Sequence, residues 1–338
     1  MLTNEQRTPY IEEVANRRGL RKGYIEKDFW VCFILRILFQ TPKLKDILVF
    51  KGGTSLSKVF GVINRFSEDI DLSIDPTWLG FKGETHPEAT ETKSQFHKRC
   101  KKLEEECCKR VEEYFQPHLE SEVREVLCSL ESKKQYFNFE IDPQSKSPIL
   151  IFHYPTLDKV DIGNFRSQIK LEMGSLFDQK PVGEYTVSPW IAEEFPDIFT
   201  EPNTQVITLE AERTFWEKAT ILHAEYHRPK EKPMRFRLSR DCYDLCKMIS
   251  HETGQRAIDN LGLLENVIQF KQRYFSSNWA NYDTAKPGSI RLVPPIYRHS
   301  DLYTDYRNIQ DMFTEEPPTF EELLVILKKI ENRINDVE

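Results

Sequence analysis

Long apolar runs are missing from this chain of 338 residues. The most apolar stretch, FWVCFILRILF (29–39), is too short to span a bilayer and carries Arg36, so it predicts a buried helix and no membrane contact. Met1 to Tyr10 is polar and offers no apolar stretch for a signal peptide, which makes a cytoplasmic protein the expectation. The seven cysteines are an odd number, with no CxxC and no Cys/His grouping at zinc spacing. Adjacent Cys107 and Cys108, and Cys242 and Cys246 one helical turn apart, then read as reduced structural thiols. Surplus positive charge is also absent: 47 Lys and Arg stand against 54 Asp and Glu, a net charge of -7. That balance argues against a protein coated in nucleic-acid-binding surface and leaves room for a local basic patch. No internal repeat, low-complexity tract or Walker A loop of the form GxxxxGK[ST] is present.

What is there is an ordinary globular composition, 39% hydrophobic and 30% charged, in a chain long enough for two domains or one elaborated one. Residues 3–40 carry helical spacing that ends before Thr41-Pro42. DILVF (46–50) reads as a strand, TSLSKVFGVIN (54–64) as a helix capped by Thr54 or Ser55, and EDIDLSID (68–75) as a strand with one buried face. A charge-dense helical region over 93–135 precedes strands at 136–141, 149–155 and 165–176. PWIAEEFPDIF reads as a loop, and from about residue 206 the pattern is mainly helical. The expected fold class is α/β (α+β) with a mixed sheet over 1–205, followed by a mainly helical domain over 206–338.

Chemistry concentrates in GGTSLSKVFGVINRFSEDIDLSID (52–75). Residues two apart on a strand share a face, so Asp69 and Asp71 project together while Ile70 and Leu72 turn to the core. Paired carboxylates repel, and a divalent cation is the usual reason such a pair persists. An Asp-x-Asp alone also occurs on ordinary surface strands. Upstream, Gly52 and Gly53 let backbone approach a ligand closely, as a turn that holds the β and γ phosphates of a nucleotide requires. Thr54 and Ser55 would add hydroxyls there, and Lys58 follows one turn along. The same glycines also suit a plain strand-to-helix turn. Glu172 in IKLEM is the candidate third carboxylate, sharing a face with Lys170; a solvent-facing Lys/Glu pair is the other reading.

In the helical half, Lys218 borders the stripe formed by Phe215, Ala219 and Leu222. Packing there would aim it as a point charge at a phosphate, unless it snorkels to solvent. HRPKEKPMRFRLSR (227–240) gathers Arg228, Lys230, Lys232, Arg235, Arg237 and Arg240 around Phe236 against a single acid, Glu231. This is the best local candidate for an RNA backbone, or else a solvated loop or a protein partner's docking site. SRDCYDL (239–245) sets Asp241 and Asp244 near one helix face, where Asp241 also suits a helix start and Asp244 a salt bridge to arginine.

GGTSLSK followed by RFSEDIDL resembles motif I of the DNA polymerase β-like nucleotidyltransferases. With Ser67 before the acidic pair, it resembles more closely the AbiEii/AbiGii toxin family of type IV toxin–antitoxin and abortive-infection systems. EKDFW (26–30) is similar to that family's N-terminal helix motif, IKLEM to its second, ERTFWEKATILHAE to its third and SRDCYDL to its fourth, all in the expected order. The resemblance implies that Gly53 and Ser55 meet phosphates and that Asp69 and Asp71 hold Mg²⁺ (or Mn²⁺). It implies that Ser67 matches a serine some members need for activity and carry as a phosphorylation target. Lys218 and either Asp241 or Asp244 match the lysine and aspartate of the later motifs. Glu172 departs from the aspartate that many such enzymes have there. The implied activity is metal-dependent transfer of a nucleotide from an NTP to RNA, with tRNA 3′ ends the leading acceptor and growth arrest the outcome. Pyrophosphate would leave stabilised by the glycine turn and Lys218. A cognate antitoxin of the winged-helix regulator type is the implied partner. Nucleotidylation of a protein or a small molecule is the alternative within enzymes, and a catalytically silent nucleotide- or RNA-binding protein the alternative outside them.

Overall fold

Leu48 and Phe50 of LVFK and Ile70, Leu72 and Ile74 of IDLSI are fully buried and share one face of a sheet that organises the first part of the chain. The computed structural model describes residues 4–89, 92–127, 135–157 and 166–336. It divides into two units: residues 1–59 with 67–209, and residues 60–66 with 210–338.

In the first unit, helices α1 (Asn4–Arg18), α2 (Lys22–Gln40) and α3 (Pro42–Lys45) lead into β1 (Leu48–Lys51), α4 (Gly52–Lys58) and β2 (Ile70–Ile74). Then come α5 (Lys93–Arg110), a π-helical turn at Val111–Phe115 and α6 (Gln116–Leu127). Strands β3 (Phe137–Ile141), β4 (Pro148–Phe152), β5 (Ile169–Gly174) and β6 (Val182–Val187) follow, then the short α7 (Trp190–Glu194) and β7 (Thr204–Leu209). The seven strands form one mixed sheet in the order β3-β4-β5-β2-β1-β7-β6. The pairs β1·β7 and β2·β5 are parallel and the rest antiparallel. Phe50, Ile70, Leu72, Leu171 and Met173 are fully buried in the core, which α2 closes with Trp30, Ile34 and Leu38. Helix α2 is buried nearly all round, as its unbroken apolar run requires. Six cysteines are described, all free and five of them buried; Cys128 lies outside the described residues.

The structure corrects three readings of element type and extent. Helix α4 begins at Gly52 and stops at Lys58, because Gly61 turns at a φ of 61° and the chain leaves for the other unit. The stretch expected to be a loop contains α7, with Pro189 at its N-cap. Strands β6 and β7 were not anticipated. Only Val187 is buried in β6, so it lacks a clear apolar face, and β7 runs to Leu209, across the point where the helical pattern was expected to begin. Residues 128–134, expected in the helical region, and Phe165, expected to start a strand, lie outside the described residues, as do residues 158–164.

The second unit is built on α8 (Ala211–Tyr226), with α9 (Leu238–Ile249), α10 (Glu252–Asp259), α11 (Leu261–Tyr274), α12 (His299–Asn308) and α13 (Phe320–Asn335). Phe215, Trp216, Ala219 and Leu222 of α8 are fully buried, and the Trp216 indole donates to the Ala257 carbonyl at 3.0 Å. His223 is a buried strut: its Nδ1 accepts from the Arg291 amide at 3.0 Å, so Nε2 carries the proton toward the Asn281 carbonyl at 3.0 Å. Burial pulls its pKa down to about 4.

Candidate active site

The glycine turn and the acidic strand are one construction. β1 runs antiparallel to β2, and Lys51 stands opposite Asp71 in the register. Gly52 follows with a φ of 80°, in the left-handed region that favours glycine. A Cβ on Gly52 would lie 2.0 Å from Asp71 Oδ2, so the bare Cα is also the seat of the Asp71 carboxylate. Thr54 Oγ1 hydrogen-bonds the Asp69 carbonyl and lies 3.0 Å from Ser67 Oγ. Ser55 is fully buried and donates to the Gly52 carbonyl at 2.9 Å. In this structure the Thr54 hydroxyl ties the turn to the segment entering the acidic strand, the Ser55 hydroxyl closes the turn on itself, and Gly53 continues directly into α4.

Asp69 immediately precedes β2, and Ile70 and Leu72 beside it are fully buried, which leaves Asp69 and Asp71 on the opposite face. β5 adds Glu172 in parallel register with Asp71. Glu172 is paired with Lys170 at 2.6 Å, and both are partly exposed. Glu68 is paired with the fully buried Lys27 at 2.8 Å. Burial first, then the carboxylates of Glu68 and Glu172, push Asp69 up to about 6. Among the described residues no three His, Cys, Asp or Glu side chains converge closely enough to cage a metal ion. The residues present fit a divalent cation held open-faced: Asp69 and Asp71 share one face and Asp71 rests on Gly52, whereas Glu172 is tied to Lys170. Mg²⁺ is commonly held in this way, by one or two carboxylates plus substrate oxygens and water.

The EKD of α2 supplies three clasps to this arrangement. Glu26 accepts from the Leu157 amide at 2.8 Å and from Thr156 Oγ1 at 3.0 Å. Lys27 holds Glu68 and also donates to the Arg166 carbonyl at 3.0 Å. Asp28 accepts from the Trp190 amide at 2.7 Å and pairs with Lys58 at 2.6 Å. Lys58, expected at a phosphate, is thus a buried cation held on Asp28, its pKa raised by that carboxylate against the effect of burial.

In the second unit, Lys218 is buried and does not snorkel. Its Nζ lies 2.8 Å from Asp241 and 2.9 Å from Asp244. Arg65 forks onto Asp244, Nε to Oδ1 at 2.7 Å and Nη2 to Oδ2 at 2.8 Å. Burial would push Asp244 up, but Arg65 and Lys218 outweigh it and hold the carboxyl down at about 2. Lys218 is likewise raised by Asp241 and Asp244 against burial. Two cations and two carboxylates therefore close a neutral cluster.

The basic stretch after α8 splits by exposure. Lys230, Lys232, Arg235 and Phe236 are exposed, with Phe236 at 77%. Lys230 lies 5.6 Å from the Tyr297 ring, and Lys232 and Arg228 lie 5.8 and 4.9 Å from that of Trp279. Arg228 is also paired with Glu225 at 3.0 Å, Arg237 adopts a positive φ as its amide donates to Asp305, and Arg240 is within 3.0 Å of Met312 Sδ.

A mixed sheet carrying a glycine turn against an Asp-x-Asp strand, followed by a helical region, defines a nucleotidyltransferase class of protein. Residues 34–325 match the family described as "Nucleotidyl transferase AbiEii toxin, Type IV TA system", and the chain belongs to it. It is a nucleotidyltransferase toxin of a type IV toxin–antitoxin system, which implies an NTP substrate and an antitoxin partner. Among solved structures it resembles MenT4, the nucleotidyltransferase toxin Rv2826c from Mycobacterium tuberculosis H37Rv, at 16% identity and a TM-score of 0.53. That likeness covers 100% of this chain and 91% of the other, and it concerns the fold alone. No curated protein matches the sequence. Among the described residues no helix is long and apolar enough to cross a membrane.

Sequence reasoning assigned no role to Lys27, Glu68, Asp28 or Arg65. In EKDFW, three charges at the head of an apolar run are the available signal for buried clasps. Arg65 had no such signal, since its partner Asp244 is distant in sequence.

Proposed function

We propose that the protein transfers a nucleotidyl group from an NTP to RNA, with a tRNA 3′ end as acceptor, and that this causes growth arrest. The observation that carries the reading is the seating of the Asp71 carboxylate on the bare Cα of Gly52, which joins the acidic strand to the glycine turn. Asp69 and Asp71 would hold a divalent cation, Mg²⁺ or Mn²⁺, which would supply charge neutralisation at the α-phosphate and activation of the acceptor hydroxyl. The chain's own contribution is positional: Thr54 fixes the Asp69 backbone, Gly52 fixes Asp71, and Lys27 holds Glu68 beside them. The acceptor oxygen forms the new bond to the α-phosphorus, the bond to the β-phosphate oxygen breaks, and pyrophosphate leaves. Lys218, the lysine of the family's third motif by resemblance, is fixed in place by Asp241 and Asp244. Ser67, hydrogen-bonded to Thr54 from the segment that leads into β2, is a candidate modification point.

RNA is favoured over a protein or small-molecule acceptor by the exposed cations Lys230, Lys232 and Arg235 with aromatic neighbours Phe236, Tyr297 and Trp279. Cations that track a backbone beside rings that stack on bases suit an unpaired strand. The antitoxin is proposed to be a winged-helix regulator, and the setting phage-triggered abortive infection in a bacterial cytoplasm. The test is incubation of the purified protein with total tRNA, Mg²⁺ and each labelled NTP, with and without EDTA. Label in tRNA from one NTP, lost in EDTA, is the expected result. Label on a protein or small molecule instead would replace the acceptor, and EDTA-resistant RNA binding with no label would replace catalysis by sequestration.

A further inference from the structure

Each of three lysines in the first unit's site has a carboxylate of its own: Lys27 has Glu68, Lys170 has Glu172 and Lys58 has Asp28. Lys51 differs. It stands opposite Asp71 across the antiparallel β1·β2 pair, so the two side chains leave the same face of the sheet. It also immediately precedes Gly52, on which the Asp71 carboxylate rests. Among the described residues no carboxylate lies within ion-pair distance of its ammonium, which stands 3.5 Å from the centre of the Phe177 ring. That ring is itself seated: a Cβ on Gly174 would lie 2.3 Å from Phe177 Cε2. Gly174 ends β5 on the same strand face as Glu172. An aromatic face holds an ammonium in place without cancelling its charge, which an aspartate or glutamate would do.

We propose that Lys51 binds the polyphosphate of the incoming nucleoside triphosphate and that Phe177 is the positioning residue that holds it for this task. The inference rests on the nucleotidyltransferase reading and names a residue that reading does not require. The physical need is plain: a triphosphate must approach a face already carrying Asp69, Asp71 and Glu172, and of the four described lysines Lys27, Lys51, Lys58 and Lys170, Lys51 is the one with no described carboxylate at ion-pair distance. No bond is made or broken by Lys51; it contributes charge and three N–H donors.

The experiment is equilibrium binding to the full chain of the four α,β-methylene NTP analogues with Mg²⁺, of inorganic tripolyphosphate, and of the corresponding nucleoside monophosphates. Wild type is compared with Lys51→Met, Lys51→Gln, Lys51→Arg and Phe177→Leu, each checked for an unchanged melting profile. Removing the ammonium by either neutral substitution should weaken the preferred analogue and tripolyphosphate about tenfold or more, with monophosphate affinity unchanged. Lys51→Arg should retain most of the affinity, and Phe177→Leu should lose about threefold to fivefold. Wild-type affinity for analogue and tripolyphosphate in a folded Lys51→Met or Lys51→Gln protein overturns the inference and leaves the nucleotidyltransferase reading standing. A wild-type protein that binds neither the analogues nor tripolyphosphate overturns both.

Discussion

Two clusters of charge in this protein are built on opposite principles. Around β2, Asp69, Asp71 and Glu172 share one face of the sheet, and the Asp69 carboxyl is pushed up to about 6 because burial and neighbouring acids disfavour its charge. Around Lys218, two cations and two carboxylates complete each other so fully that Asp244 is held down at about 2 while completely buried. In the first cluster burial and neighbouring acids work against the Asp69 charge, and under the proposed reading a divalent cation on Asp69 and Asp71 would offset that penalty. The second needs nothing from outside and behaves as a structural element that fixes Lys218. Acidic residues in the two regions look alike in sequence, and their surroundings make them different.

The largest expected effect separates chemistry from folding. Asp71→Ala should reduce nucleotidyl transfer by about 10³-fold or more while circular dichroism and melting stay near wild type. A folded Asp71→Ala protein with wild-type transfer would falsify the placement of the reaction on β2. In the other cluster the effect should fall on stability: Asp244→Asn leaves Arg65 and Lys218 buried with one carboxylate fewer, and should cost about 3–5 kcal/mol in denaturant unfolding. Arg65→Met combined with Asp244→Leu should cost less than the two single changes added together, since the double removes both charges of the fork. Additive losses would show that the pair is not coupled.

Gly52→Ala sharpens the comparison from the side of the backbone. It meets Asp71 Oδ2 and forces a residue with a Cβ to a φ of 80°, so a stability loss of roughly 1–2 kcal/mol is expected. Transfer should fall by about tenfold to a hundredfold as Asp71 shifts. The smallest effect concerns His223. Its folded pKa of about 4 lies below the unfolded value of 6.5, so its contribution is complete above pH 6.5 and is lost as pH falls from there toward 4. His223→Gln should flatten that limb of the stability profile, and an unchanged acid limb would contradict the assignment.

Much of the first unit was legible because burial leaves a period. EDIDLSID alternates and became β2, and the FWVCFILRILF run, apolar on all sides, became the interior of α2. β6 was not legible, since an edge strand with one buried residue in six carries no apolar stripe. At the site, the Asp-x-Asp stood out because aspartate is depleted in strands, and the glycines because two adjacent ones let backbone approach a neighbouring group closely. The clasps did not: Lys58 looked like a phosphate ligand because only its spacing from Gly53 was visible, whereas its partner Asp28 lies on a different element. Which cation meets which acid is a property of packing between distant segments. That is also why Arg65 on Asp244 and Lys51 on Phe177 emerge only in three dimensions.

Whether a divalent cation binds at Asp69 and Asp71, as proposed, while the Lys218 cluster takes none, is decided by Mn²⁺ titration followed by electron paramagnetic resonance. Wild type, Asp69→Asn/Asp71→Asn and Asp241→Asn would be compared in the presence of a non-hydrolysable NTP analogue. The Asp69→Asn/Asp71→Asn double substitution should abolish the bound Mn²⁺ signal, and Asp241→Asn should leave it at wild-type strength. Loss of the signal in Asp241→Asn, with binding retained in the β2 variant, would contradict the proposal.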